Sequence, residues 1–106
     1  MAQKFHTGNF NTEVLQSTQP VLVDFYADWC GPCRMMGPLV DQLANTYNGR
    51  MKIGKINVDE DSAIAGRYGI RSIPSFLVFK NGQVVDSVTG GVPEHVLLQM
   101  IERQVA

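Results

Sequence analysis

The run Val21-Leu22-Val23-Asp24-Phe25-Tyr26 constrains this chain more than any other feature. Its β-branched and aromatic residues fall on both alternating faces, so the strand it implies is a central one that needs a covering layer on each side. The next segment supplies one layer. Beyond Gly31-Pro32, residues Met36, Leu39, Val40, Leu43, Ala44 and Tyr47 recur at i, i+3, i+4, i+7 spacing, the stripe of a helix that buries one side. Pro38 inside it removes a backbone donor and predicts a kink, and Asn48-Gly49 stops it. Met51 to Val58 reads as a second strand, and two strands joined through a helix form a βαβ unit, expected to be parallel and right-handed.

The remaining elements complete one layer on each face. A short amphipathic helix is expected from about Asn9 to Ser17, with Phe10, Val14 and Leu15 as its apolar side, ended by Pro20. Asp61 to Tyr68 reads as a helix closed by Gly69. Ser75 to Phe79 reads as a strand, with Asn81-Gly82 as the two-residue turn into a hairpin partner at Gln83 to Val88. Pro93 opens a last helix whose buried stripe is Val96, Leu97, Met100 and Ile101. A strand around Gln3 to His6 would be a fifth. The architecture expected is α/β: one mixed sheet of four or five strands, mainly parallel with an antiparallel hairpin, with helices on both faces. At 106 residues, with no repeat or linker, the chain reads as a single domain over 1–106.

Charge and composition exclude several classes of function. The net charge is −1 and no stretch concentrates Lys and Arg, so neither nucleic acid nor a membrane surface is expected as a partner. The longest apolar run is interrupted by Asp24 and is far too short to span a bilayer. Met1 to His6 lacks the apolar segment and cleavage site of a secretory signal, so a cytoplasmic location is expected. No phosphate-binding glycine loop, haem motif or metal-ligand cluster is present, and no cofactor is expected.

The two cysteines, Cys30 and Cys33, sit three apart. A bridge between them closes a tiny loop that stabilises a fold by about 2 kcal/mol at best, a poor staple. Their placement argues for chemistry instead. Cys30-Gly31-Pro32-Cys33 lies between the carboxyl end of a buried strand and the start of a helix, where reactive groups gather in open α/β sheets. Cys30 is expected at the helix N-terminus, where free amides and the dipole favour a thiolate. Cys33 is expected one turn further in and less exposed, within reach of the first sulfur. Disulfide exchange requires this pairing: an outer thiolate attacks a target disulfide, and the second thiol resolves the mixed disulfide. Pro32 lacks an N–H and so withholds one donor from Cys30, which with Gly31 is expected to favour the oxidised form and make the pair a better reductant. A zinc site is the weaker reading, because only His6 and His95 remain as soft ligands and neither has ligand spacing to the pair.

Two further residues stand out. Asp24 lies mid-strand among Leu22, Val23 and Phe25, where desolvation raises a carboxyl's pKa and leaves it poised for proton exchange. The alternative is an Asp on an edge, solvated or satisfied by hydrogen bonds. Pro74 directly precedes a strand, and at the base rate of about 5% for cis X–Pro bonds it reads as an ordinary turn proline.

Taken together, these residues resemble the thioredoxin family. Trp29-Cys30-Gly31-Pro32-Cys33 matches its active-site signature, and the likeness runs from about Phe10 to the C-terminus through Val23-Asp24-Phe25, Pro38, Lys55-Ile56-Asn57-Val58-Asp59, Tyr68-Gly69-Ile70-Arg71, Ile73-Pro74, Phe79-Lys80-Asn81-Gly82 and Gly90. The resemblance implies the thioredoxin fold and an enzyme that reduces protein disulfides. It implies that Cys30 is the nucleophile, Cys33 the resolving thiol, Asp24 a buried acid/base for Cys33, and Lys55 a modulator of Asp24. It also implies a cis Ile73–Pro74 bond that sets the Ile73 backbone beside Cys30, and an apolar docking surface of Trp29, Gly31, Pro32, Pro74 and Gly90. The partners implied are disulfide-containing target proteins and a thioredoxin reductase, an NADPH-dependent flavoprotein or in some lineages a ferredoxin-dependent enzyme, with this chain acting as a monomer. Tyr26, Arg34, Gly37, Ser72, Ser75 and Thr89 depart from the family's usual residues, and Ser72 and Thr89 fall where targets would touch. Two rival readings are an oxidase or isomerase of the same fold, and a binding module in which redox is incidental.

Overall fold

A computed structural model describes residues 1–105. Five strands form one sheet in the order β1-β3-β2-β4-β5: β1 (Gln3–Lys4), β2 (Val21–Tyr26), β3 (Lys52–Asn57), β4 (Ser75–Lys80) and β5 (Gln83–Thr89). The helices are α1 (Gly31–Thr46), α2 (Ser62–Arg67) and α3 (Glu94–Val105). β2 takes the central place its two apolar faces require, parallel to β3 on one side and antiparallel to β4 on the other.

Strand parity sorts the core into two layers. Leu22, Ile53, Phe76 and Val78 pack against Met36, Val40 and Leu43 of α1 and Leu97, Met100 and Ile101 of α3. Val21, Val23, Phe25, Ile56, Leu77 and Phe79 face the other way, against Phe10, Val14, Ile64 and Ala65. Pro38 does lie within α1, and Val96 is only half-buried, unlike the rest of its expected stripe.

Two expectations need correction. The sheet is not mainly parallel, because β1–β3 and β2–β3 are parallel while β2–β4 and β4–β5 are antiparallel. The six residues of α2 rise only about 9 Å, too little to carry the chain back along a strand of about 20 Å. β4 therefore starts near the end at which β3 finishes. Second, the expected helix from Asn9 to Ser17 is a single wide π-helical turn, Asn11–Leu15, with Gln16 N–H donating to Asn11 O at 2.9 Å. So short a segment has little helical stability of its own. Burial of Phe10 and Val14, with Phe10 edge-on to Phe79, fixes its path instead.

The hairpin turn is as its residues imply: Asn81 and Gly82 have φ of 53° and 78°, the left-handed pair of a tight two-residue connection. Further along, the register slips. Val78 pairs with Asp86 but Phe79 with Val84, so Val85 is the extra residue of a bulge on the edge strand.

Candidate active site at the head of the first long helix

The chain leaves β2 at Tyr26, turns through Ala27 to Trp29, and enters α1 with Cys30 as N-cap. Cys30 has an extended backbone, and its Sγ accepts from the Cys33 N–H at 3.2 Å. Pro32 between them offers no N–H. Cys30 and Cys33 are joined in a disulfide, with their Cα atoms 5.2 Å apart. The expected difference in exposure is absent from this oxidised form, since the two residues are 5% and 4% exposed. The bond draws both sulfurs into one cluster with Ala27, against which Tyr26, Val58 and Ile73 pack.

What separates the sulfurs is their surroundings. Cys30 Sγ lies 3.8 Å from the Ile73 carbonyl oxygen, at the loop that leads into β4. Cys33 instead lines a half-open cavity of about 240 Å³, with Tyr26, Arg34 and Lys55 among its other walls. Arg34 spans its rim, donating from Nη1 to the Asp28 carbonyl at 2.8 Å.

Two further loops meet at the head of α1. The Ile73–Pro74 bond is cis, which corrects the turn-proline reading and agrees with the resemblance. The Pro74 carbonyl accepts from the Gly90 N–H at 2.8 Å, tying this loop to the end of β5. Gly90 has φ of 104°, a conformation open to glycine and costly for other residues. Beside it, Gly91 and Val92 form with Pro32, Met35 and Met36 an apolar groove of about 500 Å³.

Trp29 is 68% exposed, and its Nε1–H donates to Asp59 Oδ2 at 2.9 Å. Sequence reasoning gave Asp59 no role. A signal for it existed: β2 and β3 run parallel with Tyr26 opposite Asn57, so the residues just beyond each strand emerge on the same side of the sheet.

Asp24 is buried, 3% exposed, and the edge-strand alternative is overturned because β2 is central. Its Oδ1 has no hydrogen-bond partner. Burial pushes its pKa up to about 7, against the opposing pull of the Lys55 charge. Lys55 stands opposite Asp24 in the β2–β3 register. Parity puts Asp24 with Leu22, and Lys55 with Ile53, on the sheet face that α1 covers. Lys55 thus neighbours Asp24 and also lines the cavity of Cys33.

A family model described as Thioredoxin matches residues 1–103. The chain belongs to the thioredoxin family. A thioredoxin from Chlorobaculum thiosulfatiphilum is 52% identical over 97 residues, covering 92% of this chain and 90% of the relative. Thioredoxin 1 of a Nostoc species is 54% identical over 94 residues, covering 89% and 88% of the two chains. The chloroplastic thioredoxin M4 of Arabidopsis thaliana is 53% identical over 94 residues, covering 89% of this chain and 49% of that protein. With its thioredoxin fold and its paired cysteines at a helix head, the chain is a dithiol–disulfide oxidoreductase.

Proposed function

We propose that this thioredoxin-family chain, acting as a monomeric single domain, reduces disulfides in target proteins, with Cys30 as nucleophile and Cys33 as resolving thiol. The observation that carries the assignment is the position of Cys30 as helix N-cap, its sulfur next to the Ile73 carbonyl and Cys33 lining the separate pocket beside Lys55. In the dithiol state the helix amides favour the Cys30 thiolate. That thiolate attacks one sulfur of the target disulfide, forming a Cys30–target bond as the target's S–S bond breaks and its other sulfur leaves as a thiolate. Cys33 then attacks Cys30 Sγ, the mixed disulfide breaks, and the second target thiolate departs. Two electrons pass to the target, and Cys30–Cys33 remains as the disulfide.

Cys33 must lose a proton to attack. Asp24, with a pKa near 7, is matched to receive it around neutral pH, with Lys55 modulating its charge. The cavity shared by Cys33 and Lys55 has room for water that can relay the proton. Gly31 and Pro32 tune the couple by leaving the Cys33 amide as the donor to Cys30 Sγ. Trp29, Ile73, Pro74 and Gly90 form the surface on which an extended target segment docks, the Ile73 backbone pairing with it. A thioredoxin reductase, in this reading an NADPH-dependent flavoprotein of the cytoplasm, returns the disulfide to the dithiol.

Insulin reduction tests the activity: the wild type should turn over and a Cys30→Ser/Cys33→Ser chain should not. The division of labour is tested by trapping. Cys33→Ser should accumulate stable mixed disulfides with targets and Cys30→Ser none. Faster alkylation of Cys33 than of Cys30 in the reduced wild type would reverse the assignment.

A further inference from the structure

On the α2 side of the sheet, next to the Ile73 loop, lies a second cleft of about 280 Å³. Arg71, Ser72, Ser75, Ser87 and Thr89 line it, with Leu77 as an apolar wall. The cross-strand pairs Ser75–Thr89 and Leu77–Ser87 bring these side chains onto one face of the β4–β5 ladder. Ser75 is buried and its hydroxyl lies 3.2 Å from that of Thr89, which forms the back wall. Ser72 and Ser87 are exposed in the lining, where their hydroxyls can donate to a guest.

Position and charge identify the guest. Ser72 immediately precedes Ile73 and Thr89 immediately precedes Gly90, and the Gly90–Pro74 hydrogen bond ties these two walls together. The cleft therefore opens beside the segment that receives a target. No acidic residue lines it, and among the described residues Arg71 enters none of the ion pairs, which join Lys4 to Glu60, Lys52 to Glu13 and Arg103 to Asp86. An unpaired guanidinium with hydroxyl donors nearby is complementary to a carboxylate.

We propose that this cleft is a specificity subsite for an acidic side chain, Asp or Glu, that flanks the disulfide of a target protein. The proposal rests on the disulfide-reductase reading and adds to it a preference among targets.

The test uses disulfide-linked peptides identical except for Glu, Gln or Lys at each of the three positions on either side of the cysteine, with kcat/KM measured for the wild type, Arg71→Gln and Arg71→Glu. The wild type should prefer Glu over Gln at one position by about two- to fivefold, the range of a solvent-exposed charge pair, and the preference should shrink as salt is raised. Arg71→Gln should abolish that preference while reducing the Gln peptide as the wild type does, and Arg71→Glu should favour Lys at the same position. Equal rates for Glu and Gln at every position, or a preference that survives Arg71→Gln, would overturn the subsite and leave the reductase reading standing. Failure to reduce any of the peptides would overturn both.

Discussion

Replacing Asp24 with asparagine should change how the stability of the oxidised protein depends on pH. In the wild type the folded state binds the Asp24 proton more tightly than the unfolded chain, since burial lifts the pKa from 3.8 to about 7. Below the unfolded value Asp24 is protonated in both states and contributes no pH dependence. As pH rises from about 4 to about 7, the unfolded chain ionises first, so folding loses stability progressively and levels off above the folded value. At about 1.4 kcal/mol per tenfold change, the interval from 3.8 to about 7 corresponds to about 4 kcal/mol. Only 3% of Asp24 is exposed, so solvent screening removes little of this. Asparagine has no such titration. Its buried amide adds an offset that is the same at every pH, and other groups titrate alike in both proteins, so the informative quantity is how the difference changes between pH 4 and pH 8. Urea denaturation with the disulfide intact should show the variant gaining on the wild type by about 2 M in midpoint over this range, at a typical slope of about 2 kcal/mol per M. Parallel curves would show that Asp24 titrates as a solvated carboxyl, and the proton-acceptor role would lose its basis.

Lys55→Met removes the charge that opposes the desolvation of Asp24, so carboxyl titration followed by NMR should move above the wild-type value of about 7. Asp59→Ala should release the Trp29 indole; because Trp29 is the sole tryptophan, its fluorescence should change while stability moves by less than about 1 kcal/mol. Gly54→Ala places a Cβ 2.5 Å from the Gln3 carbonyl oxygen and from the Phe5 ring, so β1 must shift. A loss of about 1–3 kcal/mol is expected in urea denaturation, the range for overpacked cores.

The parts of this molecule that are legible in sequence are those decided by neighbours along the chain. β2 is readable because apolar residues fill both its parities, and that same pattern makes Asp24 conspicuous. Cys30 at a strand-to-helix junction is readable from the change of period at Gly31-Pro32. The features that escape are set by contacts between distant segments. The π-helical turn follows from where the core receives Phe10 and Val14, which no local propensity encodes. The Trp29–Asp59 hydrogen bond joins residues 30 apart and depends on the parallel register of two strands. The near-equal burial of the two sulfurs belongs to the disulfide state, whereas helix position alone speaks to the exposure of a free thiol. The cis bond before Pro74 became an expectation through family resemblance, because a base rate alone favours trans.

The bulge at Val85 bears on how such a protein survives its own clients. Under the docking mode proposed here, in which an extended target segment pairs with the Ile73 backbone, the same pairing could occur along any open sheet edge, where it would be indiscriminate and hard to reverse. Both margins here are poor templates. β1 offers only two residues, and Lys4 at its end is held by Glu60. β5 is longer and carries exposed Val84 and Val85, the composition that invites aggregation. Its extra residue breaks the even spacing of outward amides and carbonyls midway, so an incoming strand meets two short ladders out of step with each other. With both margins blunted, the proposed docking loop beside the sulfur is left as the place for strand pairing, where exchange chemistry would also provide release.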